Sequence, residues 1–431
     1  MAASEPRLEG MDLQVTPISG INSPMPIVVS GLAPGANLEL KVKAVDAANR
    51  LFSSTTVFKA NSDGVVDTSK HLPQDAGWVT PSSLGVLWKM TAQNVKDATF
   101  AVDGLNPMRV EVQARVEGEK GKGTHVTRTI SRTVREITPL PVSCKGRAFC
   151  PDGPGPFPLV VLFGDAGGGV DSASAAALAH HGVAVFSYDY FPRKKGGVVD
   201  VDAVRRMLRG IRLRPEIDSS LPVALCGTGR GAELALLIAS LEPNLVGAVV
   251  AHSPTDVLSA WPDKDSQPDV FVGSGLPKVT IKAPGKQDVA ADWHAFIQPK
   301  LKGQPWRLRA YYDSAREHTK DIEAAAIEVE KMSGPLLLTA GSEDAVWDSA
   351  SMSLTLQLRA SDVEVFRYVA KGAGHNVGYP FYFPGLPAQK TMNAYGYRIA
   401  LGGHSVTNGQ ASVDSRVQVI SFLRSAFGLE D

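Results

Sequence analysis

Residues 221–240, LPVALCGTGRGAELALLIAS, decide how the chain is read. A short apolar run ending at Cys226 has the texture of a buried strand, and the apolar stretch after Gly231 that of a buried helix. Between them Gly227, Gly229 and Gly231 alternate with Thr228 and Arg230. A strand that turns this sharply into a helix needs small residues two positions either side of its apex, so that the two elements can approach. The apex of such an elbow is where a nucleophile is presented, and here it is Gly229, whose slot carries no reactive side-chain atom. A non-glycine residue at the apex typically stores about 1–3 kcal/mol of backbone strain, so glycine relieves strain while deleting the attacking group. Cys226 and Thr228 lie off the apex. Side-chain direction changes with each residue through the turn, so neither is expected to replace the missing group.

Length and charge narrow the classes. A chain of 431 residues exceeds one ordinary core and suggests two domains. Lys plus Arg and Asp plus Glu balance at 44 each, which recommends neither a nucleic-acid nor an anionic-membrane partner. No apolar run approaches the ~20 residues of a membrane span. Three cysteines without paired spacing fit a reducing compartment, and the N-terminal MAASEPRLEG has no signal-like apolar core. The expectation is a cytoplasmic protein with a small-molecule ligand or a protein assembly partner, no cofactor and no metal.

The hydrophobic period changes along the chain. Up to about residue 135 it is two: Leu38, Leu40, Val42 and Ala44 alternate with polar residues, as do Val110, Val112, Ala114 and Val116. PIVVSGL near residue 26, SLGVLWKM near 83 and THVTRTISRTV near 124 read as further strands, so residues 11–140 are expected to form an immunoglobulin-like antiparallel β-sandwich. From 141 to 431 apolar strands alternate with helical segments, the signature of a mostly parallel, doubly wound α/β sheet. Residues 254–330, rich in Pro, Gly, Lys and Asp, interrupt that rhythm as an insertion.

With the elbow, this order predicts an α/β-hydrolase, in which nucleophile, acid and histidine follow one another in the chain. After PLLLTA comes GSEDAVW, which places Asp344 where an acid orients a histidine; Glu343 and Asp348 are rival acids. After VEVFRYVA comes KGAGHNVGYPFYFP, which places His375 on the next loop. The oxyanion donors expected are the Arg230 amide and a backbone N–H of Asp165 or Ala166, in the glycine-rich loop after PLVVLF.

These stretches, with VSGLAPGANLELKVKAVD, the elbow GTGRGAEL and the tail from Gly402-Gly403, resemble the acyl-CoA thioesterase and bile acid-CoA:amino acid N-acyltransferase family over nearly the whole chain. The resemblance implies a fatty acyl-CoA or similar thioester ligand and an acyl-enzyme mechanism. In that family the slot filled here by Gly229 holds Ser, or Cys in the acyltransferase branch. Asp344 and His375 match the family's acid and histidine. The departure at Gly229 implies a pseudoenzyme, a slow hydrolase using water activated by His375 and Asp344, or a structural subunit. Arg205, Arg206, Arg209, Arg212 and Arg214 read as a solvated helix face first and as contacts to CoA phosphates second.

Overall fold

The period-two pattern of the N-terminal third closes as a β-sheet in a computed structural model. The model describes residues 10–429 apart from 76, 103, 119, 132, 193–196, 263–266 and 285–287. Strands β1 (Asn37–Val45), β2 (Leu51–Lys59), β3 (Met108–Val116) and β4 (Lys122–Thr129) pair antiparallel in the spatial order β2-β1-β3-β4. Leu38, Leu40, Val42 and Ala44 all turn to the buried face while Glu39 and Val45 face solvent, as a two-residue repeat requires. Short strands extend this sheet to six, one of them, Ile18–Gly20, running parallel to β4, and a separate three-stranded sheet completes the unit. SLGVLWKM is not a strand. Gly85–Trp88 forms one helical turn with all four residues buried, and Trp88 Nε1 donates to the Pro384 carbonyl at 2.7 Å. A run apolar on every side carries no period, so helix and strand look alike in it.

The chain divides into two compact units, one reaching Ile130 and including Phe383–Ala388, the other comprising Ser131–Tyr382 and the chain from Gln389 onward. In the second unit eight strands form one sheet: β5 (Val134–Glu136), β6 (Gly146–Pro151), β7 (Leu159–Phe163), β8 (Ala184–Tyr188), β9 (Val223–Thr228), β10 (Val246–His252), β11 (Leu336–Gly341) and β12 (Val365–Ala370). Their spatial order is β5-β6-β8-β7-β9-β10-β11-β12. From β8 to β12 every pair is parallel, whereas β5 and β6 join antiparallel. All residues of β7, β8, β9 and β11 are buried, as expected of strands covered on both faces. The covering helices include α1 (Ser172–Ala179), α2 (Val201–Ile211), α3 (Arg230–Leu241), α4 (Arg309–Glu317), α5 (Ser349–Arg359) and α6 (Ser405–Phe427). Between β10 and β11, the described residues of 254–330 contribute helices and a short strand, Phe271–Val272, but nothing to the large sheet.

Candidate active site

Three loops leaving the carboxyl ends of β7, β9 and β11, and a fourth after β12, converge. Gly229 connects β9 directly to α3 with φ 55° and ψ −117°, a left-handed conformation that L side chains adopt rarely. Close packing fixes the flanking glycines. A Cβ on Gly227 would overlap the backbone of Gly231, and one on Gly231 would overlap the carbonyl of Phe163 in β7.

On the loop after β11, Asp344 is buried, its Oδ1 accepting from the Val346 N–H at 2.8 Å and its Oδ2 from Ser349 Oγ at 2.7 Å. That same Oδ2 lies 2.8 Å from His375 Nδ1. His375, on the loop after β12, is fully buried; its amide donates to the Leu401 carbonyl, its carbonyl accepts from Ser253 Oγ, and Trp347 stands edge-on to its ring at 5.2 Å. Backbone and ring are therefore fixed together. Asp348 instead caps α5 through the Ser351 N–H, and Glu343 has a half-exposed side chain near His404.

The loop after β7 departs from the sequence reading. The sequence points to a backbone N–H of Asp165 or Ala166, beside the Arg230 amide, as oxyanion donors; the Ala166 and Arg230 N–H groups do converge, but on the side chain of Asp165, which enters as an acceptor. Its Oδ1 receives the Ala166 N–H at 2.7 Å and the Arg230 N–H at 3.0 Å, so the two donors already hold an anionic oxygen. Its Oδ2 lies 3.1 Å from His375 Nε2. A Cβ built on Gly229 would fall on the Asp165 carboxylate itself. The slot at the elbow is therefore filled, by a carboxyl group arriving from another strand. The electrostatic reason is local: the first amide of α3 and the positive end of the helix favour an anion there. The signal in the sequence was an acidic residue inside a glycine-rich loop, opposite an apex that had lost its side chain.

Charge in the site follows from this packing. Burial works against ionising the His375 ring, but the charges of Asp344 and Asp165 and their hydrogen bonds outweigh it and raise its pKa to about 10. With a carboxylate oxygen facing each nitrogen, the ring serves both as donor, which is the imidazolium form. Burial alone would raise the Asp165 carboxyl; contact with His375 and the two backbone N–H groups instead holds it below the usual carboxylate range. The Arg230 side chain points away, into a fully buried network with Glu233, Tyr312, Tyr395 and the carbonyls of Ser259 and Ala260.

Other candidates lie apart from this group. Cys226 is buried beneath the elbow, 3.9 Å from His252 Nε2, and burial pushes its thiol well up. His252, also fully buried, has its pKa lowered to about 4 and faces Thr339 and the Tyr379 carbonyl. The arginines on and just after α2 are engaged within the unit: Arg205 and Arg209 on Glu242, Arg206 on Asp200, Arg214 on Glu216, and Arg212 on the Ser219 and Leu221 carbonyls. Beside Ala166 and Gly167 opens a cavity of about 390 Å³, lined also by Trp261, Tyr395, Tyr397 and Arg398. Among the described residues no three His, Cys, Asp or Glu side chains gather to hold a metal ion, and no helix is long and apolar enough to cross a membrane.

A mostly parallel sheet with a glycine elbow at the carboxyl end of an interior strand, followed in chain order by an acid loop and a histidine loop, defines an α/β-hydrolase. The "Acyl-CoA thioester hydrolase/BAAT N-terminal region" profile matches residues 22–138 and the "BAAT / Acyl-CoA thioester hydrolase C terminal" profile residues 211–428. The chain therefore belongs to the acyl-CoA thioester hydrolase/BAAT family. It is 24% identical to the peroxisomal succinyl-coenzyme A thioesterase of Mus musculus, over 94% of both chains. It is 25% identical to mouse acyl-coenzyme A thioesterase 1, over 95% of this chain and 94% of that one. Among solved structures, a hormone-sensitive lipase from a metagenome library aligns with 69% of this chain and 87% of its own, at 15% identity and a TM-score of 0.37.

Proposed function

We propose that the protein takes a fatty acyl-CoA or similar thioester in its hydrolase unit, and that it does so without the Ser or Cys acyl-enzyme route. The observation that carries this reading is the exchange at the elbow: glycine at the apex, with the Asp165 carboxylate in the apex side chain's place and bonded toward both His375 and the Arg230 N–H. The thioester ligand class is supported by the family and by relatives named as CoA thioesterases along nearly the whole chain. Removing a nucleophile from a triad typically costs about 10⁶ in rate, which is ~8 kcal/mol of barrier. The self-occupied donor pair also favours a second reading, a non-catalytic binder or subunit of a larger assembly, because an oxyanion could enter only by displacing Asp165. Three free, buried thiols support a reducing compartment, for which the cytoplasm is our assignment.

Titration calorimetry with a thioether analogue of octanoyl-CoA tests the ligand class. Saturable binding at micromolar concentration is expected. Absence of binding would sink the assignment.

A further inference from the structure

The carboxyl group of Asp165 stands at the centre of the site. Asp165 is the only carboxylate facing His375 Nε2 among the described contacts of that ring, the atom a serine Oγ would otherwise address. Its two oxygens are not equivalent. Oδ1 is held by two backbone N–H groups, at 2.7 and 3.0 Å, while Oδ2 has the His375 ring as its partner. The side chain keeps 8% of its exposure, and the 390 Å³ cavity begins at the next two residues, Ala166 and Gly167. A cavity of that size is within the range that holds small ligands.

We propose that Asp165 replaces the missing elbow side chain as the nucleophile, so that the attacking group has moved from the β9 turn to the β7 loop. The proposal rests on the thioester reading above. In the first step Oδ2 forms a bond to the thioester carbonyl carbon, the carbon–sulfur bond breaks, and the departing thiolate takes the proton of His375 Nε2. The product is a mixed anhydride between Asp165 and the acyl group, with His375 now neutral. Water then adds to Cγ of Asp165, His375 Nε2 receiving its proton. The negative charge develops on Oδ1, which the Arg230 and Ala166 N–H groups hold. Collapse breaks the Cγ–Oδ2 bond, and the fatty acid leaves with Oδ2 and with the proton of the added hydroxyl, which restores both the carboxylate and the imidazolium. Overall one thioester and one water give one acid and one thiol. The raised basicity of His375 suits the first step, since the ring begins the cycle carrying the proton that the sulfur needs. The donor pair serves the second step, because it grips the carbonyl oxygen of the aspartyl anhydride and leaves the acyl side free to depart.

The route of attack leaves an isotopic record. With enzyme in excess over octanoyl-CoA in ¹⁸O-water, a single turnover should place one heavy oxygen in the peptide that contains Asp165, read by mass spectrometry after digestion. Asp165→Asn should lower turnover by roughly 10⁶-fold, the scale of losing a nucleophile, while still binding the octanoyl-CoA thioether analogue. Heavy oxygen found only in the released octanoate would overturn the proposal, since water would then have attacked the acyl carbonyl carbon and not Cγ of Asp165. Binding of the analogue with no turnover by the unaltered protein would also overturn it and leave the ligand class standing. Failure to bind the analogue would remove both.

Discussion

At the scale of single residues, Gly229 and Asp165 exclude one another's alternatives: a Cβ at 229 and the carboxylate of 165 claim the same space. Gly229→Ser alone should therefore not recover a serine hydrolase. The positive φ at that position would cost about 1–3 kcal/mol of stability, seen as a lower urea midpoint, and octanoyl-CoA hydrolysis should fall, because the new side chain displaces the Asp165 carboxylate. Adding Asp165→Gly frees the slot and the donor pair; if oxyanion donors contribute about 10²–10³ in rate, the double variant should exceed Gly229→Ser by at least about 10²-fold. His375 makes a second prediction. Its folded pKa, about 10, lies above the unfolded 6.5, so its stabilisation is complete below about pH 6.5 and disappears as pH rises through 10. Asp165→Asn removes one of the two anions and should move that loss to lower pH, which melting temperatures recorded from pH 6 to 10 would resolve. Low-field proton resonances from both ring nitrogens should persist at pH 8 in the unaltered protein. The loops bearing His375 and Asp344 were legible in the sequence because each follows an apolar strand and carries glycines. The direction of the Asp165 side chain was not, since it depends on a helix end supplied 65 residues later.

At the scale of elements, β9, the elbow and α3 are held by a polar network under the helix. Arg230 and Glu233, one turn apart and both fully buried, form an ion pair at 2.6 Å, and Glu233 also accepts the Ser259 N–H at 3.0 Å. Removing one member leaves the other as an uncompensated charge. Arg230→Met should cost about 3–5 kcal/mol in urea unfolding, with Glu233→Gln added on that background recovering part of it. The main-chain N–H of residue 230 survives both changes, so any effect on Asp165 must pass through the helix position. The strands of this region were readable because continuous apolar runs mark strands covered on both sides. The SLGVLWKM turn looks like a strand in the sequence for the same reason: four buried residues in a row erase the period that separates helix from strand.

At the scale of the molecule, the N-terminal unit is discontinuous. Residues 383–388 return to it, where the Pro384 carbonyl takes the Trp88 indole N–H and the Ala388 N–H reaches the Trp88 carbonyl at 3.2 Å. A fragment ending at Ile130 lacks both partners. It should unfold at lower urea than the same unit in the full chain, by about 1–3 kcal/mol for the stranded indole N–H, followed by tryptophan fluorescence. Sequence period separated the two textures, but the return of residues 383–388 left no mark in composition. All three thiols, Cys144, Cys150 and Cys226, are buried in the second unit, and the first has none. An alkylating dye thus acts as a clock for one half of the molecule. Its uptake counts openings of the hydrolase core while the sandwich stays dark, and any inhibition it produces measures breathing of the fold rather than capture of a catalytic sulfur.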